Sequence, residues 1–252
     1  MINERDTMSG LAKGLAVIET FTADRPRQSI AEVSAACGLD RATARRCLLT
    51  LASQGYAEYD GKYFTLTPRV LRLGTACLAT MPLPQMVQPF LERLSEALGE
   101  SSSVSILDED EIVYVARAAQ RKVMSIALMP GSRLPAFCTS MGRVLLAALP
   151  EEEALRRITR RPMLARTDRT VTDAQGVMAR LGQVRAQGYS VNDEEVELGL
   201  RSIAVPVINA RGVTVAALNL GLPVRGEEAS ALPARYLPAM LAVQAELRQV
   251  LR

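Results

Sequence analysis

Residues 29–53, SIAEVSAACGLDRATARRCLLTLAS, carry the signals that decide the fold. Ser29 and Glu32 stand three apart, the spacing at which a hydroxyl and a carboxylate satisfy each other's free backbone N–H groups where a helix begins. That helix runs through Val33 and Ala36 to Cys37, and Gly38 supplies the left-handed residue that stops it. Asp40 then serves as N-cap for the next helix, Arg41–Ser53, which Gly55 terminates. At 100° per residue, Ala44, Cys47, Leu48 and Leu51 share the side that faces a core. The opposite arc shows Ala42, Arg46 and Ser53, flanked by Thr43, Arg45 and Thr50.

After this helix the sequence reads as a hairpin: Tyr56–Tyr59, a turn at Asp60-Gly61, then Lys62–Thr65. Leu49, which also leans toward the outward arc of the helix, is assigned to packing against that hairpin. Upstream, Leu11, Leu15, Ile18 and Phe21, with Val17 beside them, repeat at helical spacing up to Arg25-Pro26. Helix, glycine turn, helix and hairpin make a winged helix-turn-helix. Its outer arc holds the groups that suit a DNA groove: guanidinium forks for guanine or phosphate, and threonines for phosphate oxygens or a thymine methyl. Arg41, Ala42, Thr43, Arg45, Arg46, Thr50 and, on the hairpin, Lys62 are the candidate DNA contacts. Residues 1–65 hold eight basic and eight acidic side chains, so the alternative is a three-helix packing unit with a solvated arginine face.

The chain has 252 residues, 48% hydrophobic and 23% charged, enough for one large domain or two ordinary ones. No apolar run approaches the roughly 18 residues of a membrane span. MINERDTMSG at the start lacks the apolar stretch of a signal peptide. Cys37, Cys47, Cys77 and Cys138 form no CxxC pair, which reads as cytosolic usage. There is no histidine at all. That excludes Ser-His-Asp and Cys-His machinery and every His-containing metal site, leaving only an all-cysteine or all-carboxylate site formally open. We expect no cofactor, no metal and no catalysis. A net charge of +3 is too mild to announce nucleic-acid binding by itself.

Beyond the hairpin, an amphipathic helix is expected from Thr67-Pro68 to Leu78, broken by Met81-Pro82-Leu83-Pro84. This places a winged helix-turn-helix domain at 1–66, a linker helix at 67–83 and a second domain at 84–252. In the second domain the patterns predict a helix at Gln85–Leu98, then strands at Ser102–Leu107, Ile112–Ala118 and Ser125–Leu128. Helices follow at Ser140–Ala148, Glu151–Ile158 and Asp173–Gln187. Strands come next at Tyr189–Asn192, Ser202–Asn209 and Val213–Leu222, and a last helix, Glu227–Leu251, is interrupted near Pro233 or Pro238. The fold class is α+β, with strands and helices around one sheet in the larger domain.

Four stretches carry a family likeness: GLAKGLAVIETF (10–21), QSIAEVSAACGLDRATARRCLLTL (28–51), YFTLTPRVLRLG (63–74) and DEEVELGLRSIAVPV (193–207). In this order they resemble the IclR family of bacterial transcription regulators. Residues 113–149, VYVARAAQRKVMSIALMPGSRLPAFCTSMGRVLLAAL, are most similar to the branch responding to protocatechuate, 4-hydroxybenzoate and related acids. The resemblance implies a C-terminal α/β, GAF-like effector domain and a homodimer or tetramer on palindromic double-stranded operator DNA. It implies RNA polymerase as a partner if the output is activation. Matched by position, it implies an effector cavity made from Thr139, Ser140, Met141 and Gly142, then Asn192, Asp193, Leu200 and Ser202, then Asn219 and Gly221.

The chemistry of those residues suits a small organic acid, aromatic or keto. Ser140 and Gly142 lie where a helix starts, so its free N–H groups can receive a carboxylate. Ser202 and Asn219 can orient phenolic or keto oxygens, while Met141 and Leu200 cover a ring. Arg117 and Arg133, chosen by chemistry and position, are the candidate carboxylate partners. Arg201 is read as an ion-pair partner for the acidic run Asp193–Glu197. Three functions compete: a cytoplasmic effector-responsive regulator of an aromatic catabolic operon, a small-molecule enzyme that uses the helix-turn-helix for assembly, and an architectural DNA-binding protein. Missing histidines weigh against the second. The near-neutral balance of residues 73–252, 20 basic against 19 acidic, weighs against the third.

Overall fold

In the computed structural model the chain divides at Thr80/Met81 into two units. The structure describes residues 6–22, 24–120, 128–226 and 228–251.

The first unit holds α1 (Ser9–Glu19), β1 (Arg27–Ser29), α2 (Ile30–Cys37), α3 (Arg41–Ser53), β2 (Ala57–Tyr59), β3 (Tyr63–Leu66) and α4 (Leu71–Thr80). The capping chemistry read from the sequence is present: the Ser29 hydroxyl accepts the Glu32 N–H while Glu32 reaches back to the Ser29 N–H. Gly38 stands at φ +69, and Asp40 accepts the Thr43 N–H at 2.9 Å. Val17, Val33, Ala44, Leu48, Ala57 and Phe64 close the small core, with Leu49 half-buried against it. Two expectations fail here. The first helix ends at Glu19 rather than near Arg25, with Val17 buried while Leu11 and Leu15 face solvent. The hairpin also gains a third strand, because β1 pairs with β3 to give the order β1-β3-β2. Asp60 fixes the wing turn by accepting the N–H groups of Lys62 and Tyr63 and pairing with Arg27, contacts that hold its carboxyl well below the usual carboxylate range.

The expected linker of 67–83 is divided. Thr67 caps a short turn, Pro68–Val70, that leads into α4, whereas Pro82 opens α5 (Pro82–Leu98) of the second unit. The expected break at Met81-Pro82 is present, since α4 stops at Thr80, and Pro82 and Pro84 also occupy the first turn of α5, where the missing N–H is not needed.

The second unit continues with β4 (Ser101–Asp108), β5 (Glu111–Ala118), β6 (Arg133–Pro135), α6 (Ser140–Ala147), α7 (Glu151–Ile158) and α8 (Ala174–Gln187). It ends with β7 (Ser190–Asp193), β8 (Leu200–Ile208), β9 (Thr214–Pro223) and α9 (Leu232–Val250). Six strands form one antiparallel sheet in the order β6-β5-β4-β9-β8-β7. Of the strand expected at 125–128, residues 125–127 lie outside the described residues and Leu128 is in no strand. The closing helix is continuous through Pro238, its stripe of Tyr236, Met240, Val243 and Leu247 buried against the sheet.

Alternation along the strands gives the sheet two different faces. Val104, Ile203, Val205, Leu218 and Leu220 pack with α5 and α9. Ala204, Ala217 and Tyr114 look the other way, toward α6 and α8. On that second face Arg143 of α6 is sealed in, 1% exposed, with a two-pronged ion pair to Glu195 at 2.6 and 2.7 Å. Its Nε donates to the Phe137 carbonyl, and Glu195 accepts the Val171 N–H. One charge pair thus joins the start of α6 to the β7–β8 loop and to the segment before α8.

Removing one member strands the other charge in the interior. Arg143→Met is expected to cost about 3–5 kcal/mol in the chemical denaturation of the second unit. Arg143→Met with Glu195→Leu recovers most of that loss, since an apolar pair of similar volume replaces the ion pair.

Candidate nucleic-acid interface and ligand cavity

Helix α3 is anchored by buried Ala44 and Leu48, which turns Arg41, Ala42, Arg45, Arg46 and Thr50 to solvent, with Thr43 half-buried. None of the three arginines has an ion-pair partner among the described residues. A row of uncompensated guanidiniums on an exposed helix face attracts a polyanion and fits the width of a major groove. Lys62 is exposed on the wing, its ammonium 5.0 Å from the Tyr63 ring centre. Thr50 donates its hydroxyl proton to the Arg46 carbonyl at 2.8 Å, so in this rotamer it offers only acceptor lone pairs. Arg69 lies 5.2 Å over the Tyr56 ring beside the wing.

The second site grows from the sheet face beneath α6. Strand register places Asn192, Ser202 and Gly221 side by side, and next to them Ala204, Asn219, Ser103 and Arg117. Between Val104 and Ser105 the β4–β5 register slips, so Ser105 pairs with Tyr114 instead of the next residue in sequence. A bulge re-aims side chains. Here it brings Tyr114 and Arg117, three apart in sequence, to the same face. Thr139, Ser140 and Met141 cover this floor, with Leu128, Leu134, Val196 and Leu200 at the sides. The enclosed free volume is about 30 Å³, room for one or two waters.

The polar groups divide into those with partners and those without. Ser140 and Ser202 share a hydrogen bond of 2.7 Å, Asn192 donates to the Cys138 carbonyl at 2.6 Å, and Ser105 bonds the Met141 sulfur. Thr139 is the N-cap of α6 and accepts the Gly142 N–H, leaving Ser140 and Met141 as first-turn positions without intrahelical acceptors. Arg117 is half-buried; among the described residues its guanidinium hydrogen-bonds only Ser103, at 3.3 Å, while its carbonyl accepts from Gln88, and no carboxylate pairs with it or lines the cavity. Burial lowers its pKa, though the neighbouring Tyr114 counters this, and burial pushes the Tyr114 phenol up to about 12. Asn219 is 93% buried, since 7% remains exposed, and its Oδ1 has no hydrogen-bond partner among the described residues.

Of the residues nominated from sequence, Arg117, Thr139, Ser140, Met141, Asn192, Leu200, Ser202, Asn219 and Gly221 meet in this cavity. Three do not line it. Arg133 sits one residue out of phase with inward Leu134, so it faces outward and pairs with Glu111 and Asp108. Asp193 is held by Arg201 and Arg169. Gly142 serves packing, because a Cβ there would overlap the Ala136 backbone. Tyr114, Leu128, Leu134 and Val196 were not nominated. Strict alternation puts Tyr114 opposite Arg117, and only the bulge reverses that. A roomier hollow of about 500 Å³ is lined by Phe137, Leu146, Ile158 and Met163, but Arg157 and Arg161 at its rim are engaged by Glu153 and Asp110. Among the described residues no cluster of three metal-ligating side chains occurs, and no helix is long and apolar enough to cross a membrane.

Both halves of the chain match known families: residues 10–61 the IclR helix-turn-helix domain, and residues 75–242 the bacterial transcriptional regulator IclR C-terminal domain. The Pca regulon regulatory protein of Pseudomonas putida is 44% identical over 243 residues, 96% of this chain and 84% of that protein. The p-hydroxybenzoate hydroxylase transcriptional activator of Acinetobacter baylyi is 39% identical over 254 residues, covering 99% and 94%. A solved structure of the inducer-binding domain of a PobR double mutant from Acinetobacter, in complex with 3-hydroxybenzoic acid, is 36% identical. It superposes with a TM-score of 0.61 over 66% of this chain and 97% of that one. With the two domain families in order and full-length relatives at this identity, the chain belongs to the IclR family of bacterial transcriptional regulators.

Proposed function

We propose that this protein is a cytoplasmic regulator of an aromatic-acid catabolic operon, binding operator DNA through α3 and the wing and binding a small aromatic carboxylic acid in the cavity under α6. The observation that carries the effector half is Arg117: a half-buried guanidinium without a carboxylate partner among the described residues, in a cavity without acidic lining. An arriving carboxylate supplies the missing charge, and the first-turn N–H groups of α6 add to the attraction. Tyr114, a phenol protonated at neutral pH and more so on burial, is a further donor. Leu128, Leu134, Met141 and Leu200 offer apolar contact to a ring. The 3-hydroxybenzoic acid bound to the related inducer-binding domain supports the same class of ligand, and the branch resemblance makes 4-hydroxybenzoate and protocatechuate the first choices.

A benzoate ring exceeds the free volume, so the lining must move to admit it. A ligand that binds one conformation better than another shifts the population toward it, and this differential affinity is the whole of the signal available to the DNA-binding domain. A homodimer or tetramer matches operators of two half-sites, and RNA polymerase becomes a partner where the output is activation. Turnover of the ligand is not part of this reading. The Ser140 and Ser202 hydroxyls bond each other with no base attached, and burial raises the Cys138 thiol to about 11.

A thermal-shift screen of aromatic and keto acids, followed by footprinting with the best binder, tests the proposal; no stabilisation by any aromatic acid contradicts it. Arg46→Ala is expected to weaken operator binding by about 1–3 kcal/mol if it reads a base, with relaxed preference at one position in a mobility-shift series. Ser202→Leu fills the cavity floor and is expected to abolish the effector response while operator affinity stays within twofold, or roughly 0.4 kcal/mol.

A further inference from the structure

Resting on that reading of the cavity, we infer that Asn219 is a specificity-determining residue that selects aromatic acids carrying a hydrogen-bonding ring substituent, above all a hydroxyl. Asn219 stands on β9, directly across from Ser103 on β4, which in turn stands across from Arg117 on β5. Arg117 reaches over β4 to touch Ser103. Its charge therefore lies above the middle strand, with Asn219 about one strand spacing, roughly 5 Å, further along the same face. A ligand whose carboxylate meets Arg117 lays its ring toward Asn219.

Asn219 differs from the other amide of the floor. Asn192 is committed to the Cys138 carbonyl, whereas the Asn219 side chain makes no hydrogen bond among the described residues and its Oδ1 is sealed from solvent. A buried polar atom without a partner is a cost the folded protein carries. Strand packing alone favours an apolar residue at this position, as its row neighbour Ala204 illustrates. A phenolic hydroxyl both donates and accepts, so it satisfies the amide whichever end it meets. An unsubstituted ring leaves the amide unpaired and adds desolvation. Sites built to pair a ligand hydroxyl reject the analogue that lacks it far more strongly than apolar pockets reject a change of size.

The test is calorimetric titration of the full-length protein with benzoate, 3-hydroxybenzoate and 4-hydroxybenzoate. Wild type is expected to prefer at least one hydroxybenzoate over benzoate by about fivefold or more. Asn219→Leu, close in size but apolar, is expected to reduce that preference to under about twofold while benzoate affinity holds or improves. Because the substitution removes an unpaired polar atom, the ligand-free variant is expected to melt no lower than wild type; a structural role for Asn219 lowers it. Asn219→Ala repeats the comparison without the bulk of leucine. Equal binding of all three acids by wild type, or an undiminished preference in both variants, overturns the assignment while leaving the aromatic-acid reading intact. Binding of none of them overturns both.

Discussion

Two opposite charges shut away from water, Arg143 and Glu195, tie the roof of the cavity under α6 to the loop along one of its sides. Arg143 lies in the helix whose first turn roofs the cavity. Glu195 lies in the loop that carries Val196 and leads to Leu200, and the segment before α8 is tied to the same glutamate. Burying such a pair gains little stability over an apolar contact, because desolvation offsets much of the attraction. Its consequence is geometric. A planar guanidinium gripped at three nitrogens allows one orientation of α6 relative to the loop, so the polar groups of the roof are held over the floor.

The floor depends on a second constraint, the slip in register between β4 and β5. In a regular strand Arg117 shares a face with Val115 and Val113. The bulge breaks that parity, leaving Val115 and Ala116 in the α5–α9 core and turning Tyr114 to the cavity with Arg117. The result is an interior of uneven character: one serine pair, Ser140 and Ser202, that satisfies itself, beside a guanidinium without a carboxylate and an amide oxygen without a hydrogen-bond partner among the described residues. The DNA-binding unit shows the same division. Ala44 and Leu48 are spent on packing, while Arg41, Arg45 and Arg46 are left uncompensated at the surface.

What was legible in the sequence reflects the range of the forces involved. Helix caps are local contests between a side chain and a nearby N–H, so Ser29, Gly38 and Asp40 could be read directly, and the face of α3 came from 3.6-residue periodicity. Strands of three residues, such as β1 and β6, carry too little alternation to be seen; they exist because β3 and β5 present unpaired edges. Proline is an ambiguous signal. The break at Met81-Pro82 is real, since α4 ends at Thr80, and the same prolines open α5; Pro238, by contrast, is held in α9 by a buried stripe stronger than one lost hydrogen bond. In the cavity, positions on regular strands were recovered, Tyr114 was lost to the bulge, and Arg133 was nominated by its charge although parity turns it away.

In the proposed function Arg117 receives a carboxylate whose arrival is felt at the operator. Operator footprinting with full-length protein, titrated in parallel with 4-hydroxybenzoate and with its neutral amide, tests this most directly. The acid is expected to shift operator occupancy or its pattern while the amide does not, and Arg117→Gln is expected to erase the difference. An amide as effective as the acid, or an unchanged acid response in Arg117→Gln, contradicts it.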